Sequence, residues 1–200
     1  MISIYQIKPA FQRLLRPLLK VLFKLGVLPN HLTLLAMFSS ILIGIGFYVE
    51  PNGIMRLILP LFLLFRMALN ALDGMMATTY ELKSRAGEIL NEVGDVISDA
   101  ALYIPLIALT ETSALVVIVF VWLAALNELA GILAKVISGE RRYDGPMGKS
   151  DRALVIGLTL FIGYFWGGIT LYLNIILSAA ILLMVLSTYL RLKRCLKTGT

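Results

Sequence analysis

Residues 70–99 read NALDGMMATTYELKSRAGEILNEVGDVISD and lie between two strongly apolar segments. The stretch places acidic and amide side chains where neighbouring helices are expected to cross a membrane. An acidic side chain there costs roughly 2.5 kcal/mol or more near the bilayer centre. Six such groups, many of them three or four residues apart, therefore indicate a buried polar site rather than an accident. They are Asn70, Asp73, Asn91, Glu92, Asp95 and Asp99.

The composition is that of an integral membrane protein. The chain has 200 residues, of which 59% are hydrophobic and 15% charged, and its mean hydropathy is +0.88. At ~20 residues per span, this length holds about six transmembrane helices and no separate soluble domain. We therefore expect one membrane domain over residues 1–200. The single cysteine, Cys195, excludes a disulfide within the chain and a thiolate metal cluster.

Hydropathy predicts an all-α protein with six transmembrane helices in residues 30–190. The last apolar run is nearly twice as long as the ~30 Å bilayer core at ~1.5 Å per residue. It is therefore expected to make two passes, with a turn near Gly167 and Gly168. The apolar runs are 32–49, 54–76, 89–109, 115–137 and 153–190.

The basic residues predict the orientation of the bundle. With six spans, nearly all Lys and Arg fall on one side, whereas the opposite connections 50–53 and 110–113 contain none. By the positive-inside rule, both termini are then cytoplasmic. The net charge of +6 reflects this topology, so nucleic-acid binding is not expected. The compact size suggests a bacterial inner membrane.

The N-terminal segment, residues 1–28, is predicted to form an amphipathic helix in the cytoplasmic interface. A simple basic anchor is the alternative interpretation. Residues 191–200 form a basic tail. The apolar residues at helical spacing are Ile4, Ile7, Phe11, Leu14, Leu15, Leu18, Leu19 and Leu22, and the basic residues opposite are Lys8, Arg13, Arg16, Lys20 and Lys24.

Polar residues form one stripe on each of the second and third spans. Asn70 and Asp73 share a face of the second, and Asn91, Asp95 and Asp99 share a face of the third. Because the two spans are antiparallel, the stripes are expected to face each other. Carboxylate and amide oxygens are the ligands that Mg²⁺, Mn²⁺ or Ca²⁺ prefer. The sequence therefore predicts a divalent metal site.

The same register places Arg66 opposite Asp99. Arg66 lies seven residues below Asp73, and Asp99 lies eight residues below Asn91, which is ~10 and ~12 Å along the helices. A buried arginine needs a partner, so an Arg66–Asp99 ion pair beneath the site is predicted. The alternative is that Asp99 itself binds metal.

A second polar cluster, GERRYDGPMGKSDRA at residues 139–153, lies on the same cytoplasmic side. It is predicted to bind phosphate near the acids and mildly favours a phosphorylated acceptor; contact with anionic lipid headgroups is the alternative. Glu128 in the fourth span is too costly to face lipid and is expected to line the same cavity. The basic residues of the cluster are Arg141, Arg142, Lys149 and Arg152.

These residues resemble the signature of the CDP-alcohol phosphatidyltransferase family, DxxDGxxAR, then eight residues, then GxxxDxxxD. The spacing matches throughout, and GVLPNHLT at residues 26–33 is similar to the segment that opens the first membrane helix of that family. The positions of the signature are held here by Asn70, Asp73, Gly74, Ala77, Thr78, Gly87, Asn91 and Asp95.

The resemblance implies an enzyme of phospholipid synthesis. Such enzymes transfer a phosphatidyl group from a CDP-linked lipid, such as CDP-diacylglycerol, to an alcohol acceptor and release CMP, using a pair of Mg²⁺ or Mn²⁺ ions. By position, Asp95 is the general base and also a metal ligand. Asp73 is the principal ligand, and Asn70 and Asn91 add neutral amide oxygens. A homodimer is implied as well. The implied nucleotide-binding residues are Gly74, Ala77, Thr78, Arg85 and Gly87.

Three signature positions differ, because Asn70 and Asn91 replace aspartates and Thr78 replaces an arginine. Weaker metal binding or the loss of one ion is expected, unless Glu92 or Asp99 compensates. Arg85 or Lys83 is expected to supply the missing phosphate contact. Two other functions stay open: a non-catalytic binder of lipid or nucleotide, and an ion-coupled transporter. The transporter predicts acids at all membrane depths and an inverted repeat, neither of which is evident.

Overall fold

The computed structural model describes residues 8–139 and 141–198. In these residues the chain forms helices and no strands. Ile4 and Ile7, which belong to the predicted amphipathic pattern, lie outside the described residues. The helices are α1 (Lys8–Lys24), α2 (Pro29–Val49), α3 (Met55–Thr79), α4 (Arg85–Tyr103), α5 (Ala114–Ser138), α6 (Lys149–Phe165) and α7 (Leu173–Thr198), with 3₁₀ segments at Ile104–Ala108 and Gly167–Tyr172.

Four helices among the described residues are long and apolar enough to cross a membrane. They are α2, α3, α5 and, over Leu173–Leu196, α7. The other two helices predicted to cross, α4 and α6, have 19 and 17 residues and carry the polar side chains of the site. Length and composition alone therefore support a multi-pass membrane protein with at least these four spans.

Helix α4 begins and ends for local reasons. The Ser84 hydroxyl accepts a hydrogen bond from the backbone N–H of Gly87 at 3.0 Å, which caps the helix start. The start therefore precedes the apolar run 89–109 on which the sequence prediction rested. At the other end, Pro105 follows the cap residue Ile104, and the chain continues as a 3₁₀ turn.

The long apolar run 153–190 breaks where it was predicted to break. Helix α6 ends at Phe165, and α7 begins at Leu173, so Gly167 and Gly168 lie in the intervening turn. The Asn174 side chain donates to the Glu111 carbonyl at 2.7 Å and accepts from the Ser113 N–H at 2.8 Å. The start of α7 is thereby joined to the start of α5, and the two helices run parallel.

The helices pack around two apolar clusters. Helix α2 lies against α3 and α4, α3 against α6, and α5 against α7. The larger cluster includes Phe47, Leu106, Phe120 and Ile156, all fully buried. The smaller cluster lies at the other end, where Leu15 and Leu19 of α1 pack on α2 and α3. Helix α1 therefore covers the end of α3 that carries the polar residues.

Candidate active site

The two polar stripes face each other in the predicted register. The amide of Asn91 donates to Asp73 Oδ2 at 3.2 Å, and the amide of Asn70 donates to Asp95 Oδ1 at 3.2 Å. One turn deeper, Arg66 Nη1 lies 2.6 Å from Asp99 Oδ1. Helices α3 and α4 are therefore joined by three polar pairs at successive levels.

Asp73 is buried, and its two carboxylate oxygens differ. Oδ2 accepts hydrogen bonds from the Thr33 hydroxyl at 2.9 Å and from Asn91. Oδ1 is buried and has no hydrogen-bond partner. A buried carboxylate oxygen without a donor is costly unless it binds a cation or ligand. Asp73 is therefore the residue whose surroundings fit a divalent metal best.

Asp95 has a different environment, with several donors at one oxygen. Its Oδ1 accepts from Asn70 and pairs with Lys149 Nζ from the first turn of α6. Arg66 Nη2 lies 3.7 Å from the same oxygen and donates to the Asp95 backbone carbonyl at 3.2 Å. Asp95 is thus held by Asn70 and Arg66 of α3 and by Lys149 of α6.

The Arg66–Asp99 ion pair is confirmed, and it belongs to a longer network. Arg152 Nη2, on α6, lies 2.8 Å from Asp99 Oδ2 and 3.0 Å from Glu128 Oε1 on α5. Both oxygens of Asp99 are therefore occupied by guanidinium groups, an arrangement that favours the ion pair over a role as metal ligand.

The network continues to the connection between α5 and α6. Arg141 Nη2 lies 3.0 Å from Glu128 Oε2, and Arg141 Nη1 pairs with Glu92 on α4. Burial of the Arg141 guanidinium lowers its pKa, but Tyr143 and Glu92 beside it raise the pKa by more, so the side chain stays charged. Three arginines and three carboxylates thus alternate in one chain of contacts, in the order Arg66, Asp99, Arg152, Glu128, Arg141 and Glu92.

The predicted phosphate-binding residues differ in burial and in whether they are paired with a carboxylate. Arg152 is completely buried, and Arg141 and Lys149 are paired with carboxylates. Arg142 is half-buried and forms no ion pair in the part of the chain that the structure describes. Arg85 is exposed in the first turn of α4. The structure therefore brings Lys149 to the acids, but it places Arg152 beneath them.

Two of the five predicted nucleotide-binding residues, Gly74 and Thr78, line an open cavity at the end of α3. A Cβ added to Gly74 would meet nothing within 4 Å. Gly74 and the exposed Thr78 line a cavity of about 510 Å³, which is also bordered by Arg16 and Lys20 of α1. Ala77 is half-buried one turn from Asp73. The surface of α3 at Gly74 and Thr78 is therefore accessible to a ligand.

Gly87 allows a close contact between helices. A Cβ there would lie 2.8 Å from Asn30 Oδ1 and 3.0 Å from the Ser84 hydroxyl. The start of α4 is thus packed closely against the start of α2. Helix α2 also packs against α3, where Thr33 reaches Asp73. Sequence analysis did not identify Thr33 as a site residue. The feature of the sequence that could have identified Thr33 is its position in the segment 26–33, which opens the first membrane helix.

The acid content of the site is small. No group of three or more His, Cys, Asp or Glu side chains among residues 8–139 and 141–198 is arranged to hold a metal ion. A metal site here depends on Asp73, with Asp95 and the two amides as neighbours. Such a donor set consists of oxygens and suits Mg²⁺ or Mn²⁺ rather than zinc.

Comparison with known proteins identifies relatives. The model of the CDP-alcohol phosphatidyltransferase family matches residues 26–190. The inner membrane protein YnbA of Escherichia coli strain K12 is 51% identical over 156 residues, 78% of each chain.

Solved structures with a similar fold include two of Mycobacterium tuberculosis phosphatidylinositol phosphate synthase, PgsA1. The one with CDP-DAG bound has a TM-score of 0.75 and 19% identity, and the match covers 92% of this chain and 94% of that one. The one in complex with manganese and citrate has a TM-score of 0.73 and 18% identity, with 90% and 87% covered.

Proposed function

The chain belongs to the CDP-alcohol phosphatidyltransferase family, as the spacing of residues 70–95 predicted, and from this premise we propose that it transfers a phosphatidyl group from a CDP-linked lipid to an alcohol acceptor and releases CMP. The observation that carries the proposal is the facing pair of α3 and α4, which holds Asp73 and Asp95 one helical turn apart in depth. Asp73 keeps a buried oxygen without a donor for a metal.

Asp95 is the proposed general base. Its Oδ1 is fixed by Asn70 and Lys149, which leaves Oδ2 to take the proton of the attacking hydroxyl. Arg66 holds the backbone of Asp95 from below and so positions the carboxylate. Asp99 acts through Arg66 and Arg152 and is a positioning residue in this proposal.

Asp73 is the proposed principal ligand of a Mg²⁺ or Mn²⁺ ion. Asn91 and Asn70 lie on either side of the proposed ion. When bound, such a cation neutralises charge on the diphosphate and on the leaving phosphate. A solved structure with this fold, that of PgsA1, is in complex with manganese, which supports this choice of metal class. Thr33 and Asn91 hold the other oxygen of Asp73 and so orient the carboxylate.

The CDP-linked lipid is proposed to lie against the exposed end of α3. Gly74 leaves space beside the acids, and the cavity that it lines is flanked by the basic side chains of α1. Arg85 at the start of α4 supplies the charge that Thr78 lacks. The remaining proposed contacts to the nucleotide are those of Ala77 and Gly87.

The acceptor is proposed to approach from the connection between α5 and α6. Of the four basic residues predicted there, Arg142 forms no ion pair in the described chain, and Lys149 touches the base directly. A phosphorylated alcohol fits this surface better than a neutral one, because Lys149 keeps a donor beside Asp95 and Arg142 adds a further positive charge on the same connection.

The proposed setting is a bacterial inner membrane, with six spans, both termini in the cytoplasm and the site at the cytoplasmic face. The name of the YnbA relative supports the membrane assignment. Helix α1 is proposed to lie in the interface, because Leu14 and Leu18 point outwards and are exposed. A homodimer is proposed because the family resemblance implies one. Gly163 is buried within the bundle and Gly167 lies in the turn after α6, so this small-xxx-small pair adds no support.

The test is release of CMP from CDP-diacylglycerol by the purified full chain in lipid nanodiscs. A panel of alcohols, including glycerol phosphate, inositol phosphate, serine and glycerol, is supplied with Mg²⁺ or Mn²⁺. Release with one acceptor and its loss in Asp73→Asn support the transferase. Binding of CDP-diacylglycerol without CMP release from any acceptor would identify a non-catalytic binder instead.

A further inference from the structure

The site lacks two of the four signature aspartates, and neither of the two candidate acids, Asp99 and Glu92, takes their place. Asp99 has both oxygens bound to Arg66 and Arg152. Glu92, the second candidate, pairs with Arg141 through Oε1, and its Oε2 is buried without a hydrogen-bond partner. Glu92 lies one residue away from the face of α4 that carries Asn91 and Asp95, so its carboxylate is directed to Arg141 and not to Asp73. Binding of Asp99 to a metal would take a buried partner from both Arg66 and Arg152, which is costly. Binding of Glu92 would leave Arg141 with Glu128 as its remaining carboxylate partner.

The two replacement residues act as hydrogen-bond donors. Asn91 and Asn70 each point the amide nitrogen at an aspartate of the facing helix. Two facing carboxylates would repel each other and would require a cation between them, whereas an amide and a carboxylate attract each other without one. Each exchange of Asp for Asn therefore removes a requirement for positive charge.

A cation of the protein itself is already present at Asp95. Lys149 Nζ contacts Asp95 Oδ1, and the lysine side chain is only 22% exposed. Its position is fixed, because Asp151 caps the start of α6 by accepting from the Gly148 N–H at 3.0 Å. The ammonium thus contacts the same Asp95 oxygen that accepts from the Asn70 amide.

We propose, resting on the function proposed above, that the site takes a single divalent cation, at Asp73, and that the Lys149 ammonium replaces a second cation at Asp95. The charges support this assignment. Asp73, Asp95 and Lys149 sum to one negative charge, so one divalent ion leaves one positive charge for the diphosphate. A second would leave three positive charges in a site of low dielectric, where repulsion is strong.

The experiment counts Mn²⁺ bound to the full chain in nanodiscs of neutral lipid, by electron paramagnetic resonance of free Mn²⁺. One ion per chain is expected for the unmodified protein. Lys149→Met should tighten Mn²⁺ binding about tenfold or more, because a positive charge near the ion is removed. Lys135→Met is the matched control, since Lys135 pairs with Glu88 on the exposed surface, and its Mn²⁺ affinity should not change.

A second variant tests the cause of the stoichiometry. Asn70→Asp combined with Asn91→Asp and Lys149→Met should bind two Mn²⁺ ions per chain. Two ions in the unmodified protein would overturn the inference while leaving the transferase function intact. No Mn²⁺ binding at all would overturn the inference as well, and CMP release measured in the same preparation then decides the proposed function separately.

An unchanged Mn²⁺ affinity in Lys149→Met, with the protein eluting as a folded species, would also overturn the inference. If that variant does not fold, the count on the unmodified chain still decides between one ion and two.

Discussion

Arg66 of α3 and Asp99 of α4 are joined at 2.6 Å, and Arg152 of α6 reaches the other oxygen of the same carboxylate at 2.8 Å. Asp99 therefore joins three helices directly below the two aspartates of the site. Removing this carboxylate leaves two buried guanidinium groups with fewer partners, whereas removing Arg66 leaves Asp99 with Arg152.

The first prediction concerns the stability of this junction. Asp99→Leu should lower the free energy of unfolding by about 3–5 kcal/mol, and Arg66→Met by less. The double variant should be more stable than Asp99→Leu alone, because Arg152 keeps Glu128 and no unpaired Arg66 remains. Thermal unfolding in detergent measures the stability of each variant.

The exposed pair Lys135–Glu88 is the control, because the coupling energy between its two single variants should be small. Strictly additive losses of stability at Arg66 and Asp99 would contradict the prediction.

The second prediction concerns the proposed base. Asp95→Asn should lower CMP release at least about a hundredfold and leave the protein folded, because the amide cannot accept the proton of the hydroxyl. Asp144→Asn makes the same chemical change at an aspartate paired with Arg194, outside the polar stripes, and should retain activity. Turnover near that of the unmodified protein in Asp95→Asn would remove Asp95 from the base role.

The third prediction distinguishes Arg85 from Arg152, which the sequence analysis predicted to contact phosphate in the same way. Arg85→Met should raise the apparent KM for CDP-diacylglycerol about tenfold through loss of a charge-assisted hydrogen bond, with little change in thermal stability. Arg152→Met should instead destabilise the protein, because Asp99 and Glu128 both lose a buried partner. Steady-state kinetics and thermal unfolding on both variants make the comparison. A stable Arg152→Met with only a raised KM would return Arg152 to the phosphate-binding role.

The fourth prediction uses two helical glycines. Gly74→Ala meets no atom within 4 Å and gains helix propensity, so stability should rise by up to about 1 kcal/mol. Affinity for CDP-diacylglycerol should fall, since the methyl group enters the space beside Asp73. Gly44→Ala places its Cβ 2.0 Å from the Ala101 carbonyl oxygen and should destabilise the contact of α2 with α4. Unchanged lipid affinity in Gly74→Ala would argue against a ligand at that end of α3.

Helix periodicity carried much of the sequence prediction. The spacing of Asn70 and Asp73 on one helix and of Asn91, Asp95 and Asp99 on the next fixed their faces. The antiparallel arrangement then fixed their levels, and the structure has the same three pairs. The division of the run 153–190 into two helices followed from bilayer thickness, and the glycines at 167 and 168 indicated where the turn lies. These quantities depend on local geometry and on length, and both can be read from a sequence.

The partners of Arg152 and Arg141 depend on how remote helices and a loop are arranged. Periodicity places Arg152 on a face of α6, but it does not say that α4 and α5 both meet that face. The connection from α5 to α6 turns through positive φ values at Gly139, Gly145 and Met147. A Cβ at Gly145 would lie 2.6 Å from Ser187 Cα, so this connection is pressed onto α7. Such a path depends on long-range packing, and the phosphate-binding prediction for Arg152 did not include it.

The alternating chain of arginines and carboxylates also has a consequence for how the protein enters a membrane. On the proposed topology, α4 brings Glu92, Asp95 and Asp99 into the bilayer region, and α6 brings Arg152, each without its partner on the same helix. Arg66 of α3 provides an opposite charge for Asp99 of α4, and Glu128 of α5 provides one for Arg152 of α6. Each of the two helices is therefore expected to move from the translocon into the bilayer together with the preceding helix. Membrane integration of α4 should therefore wait for α3. An isolated α4 segment fused to a reporter should fail to integrate, whereas an α3–α4 hairpin that retains Arg66 should succeed.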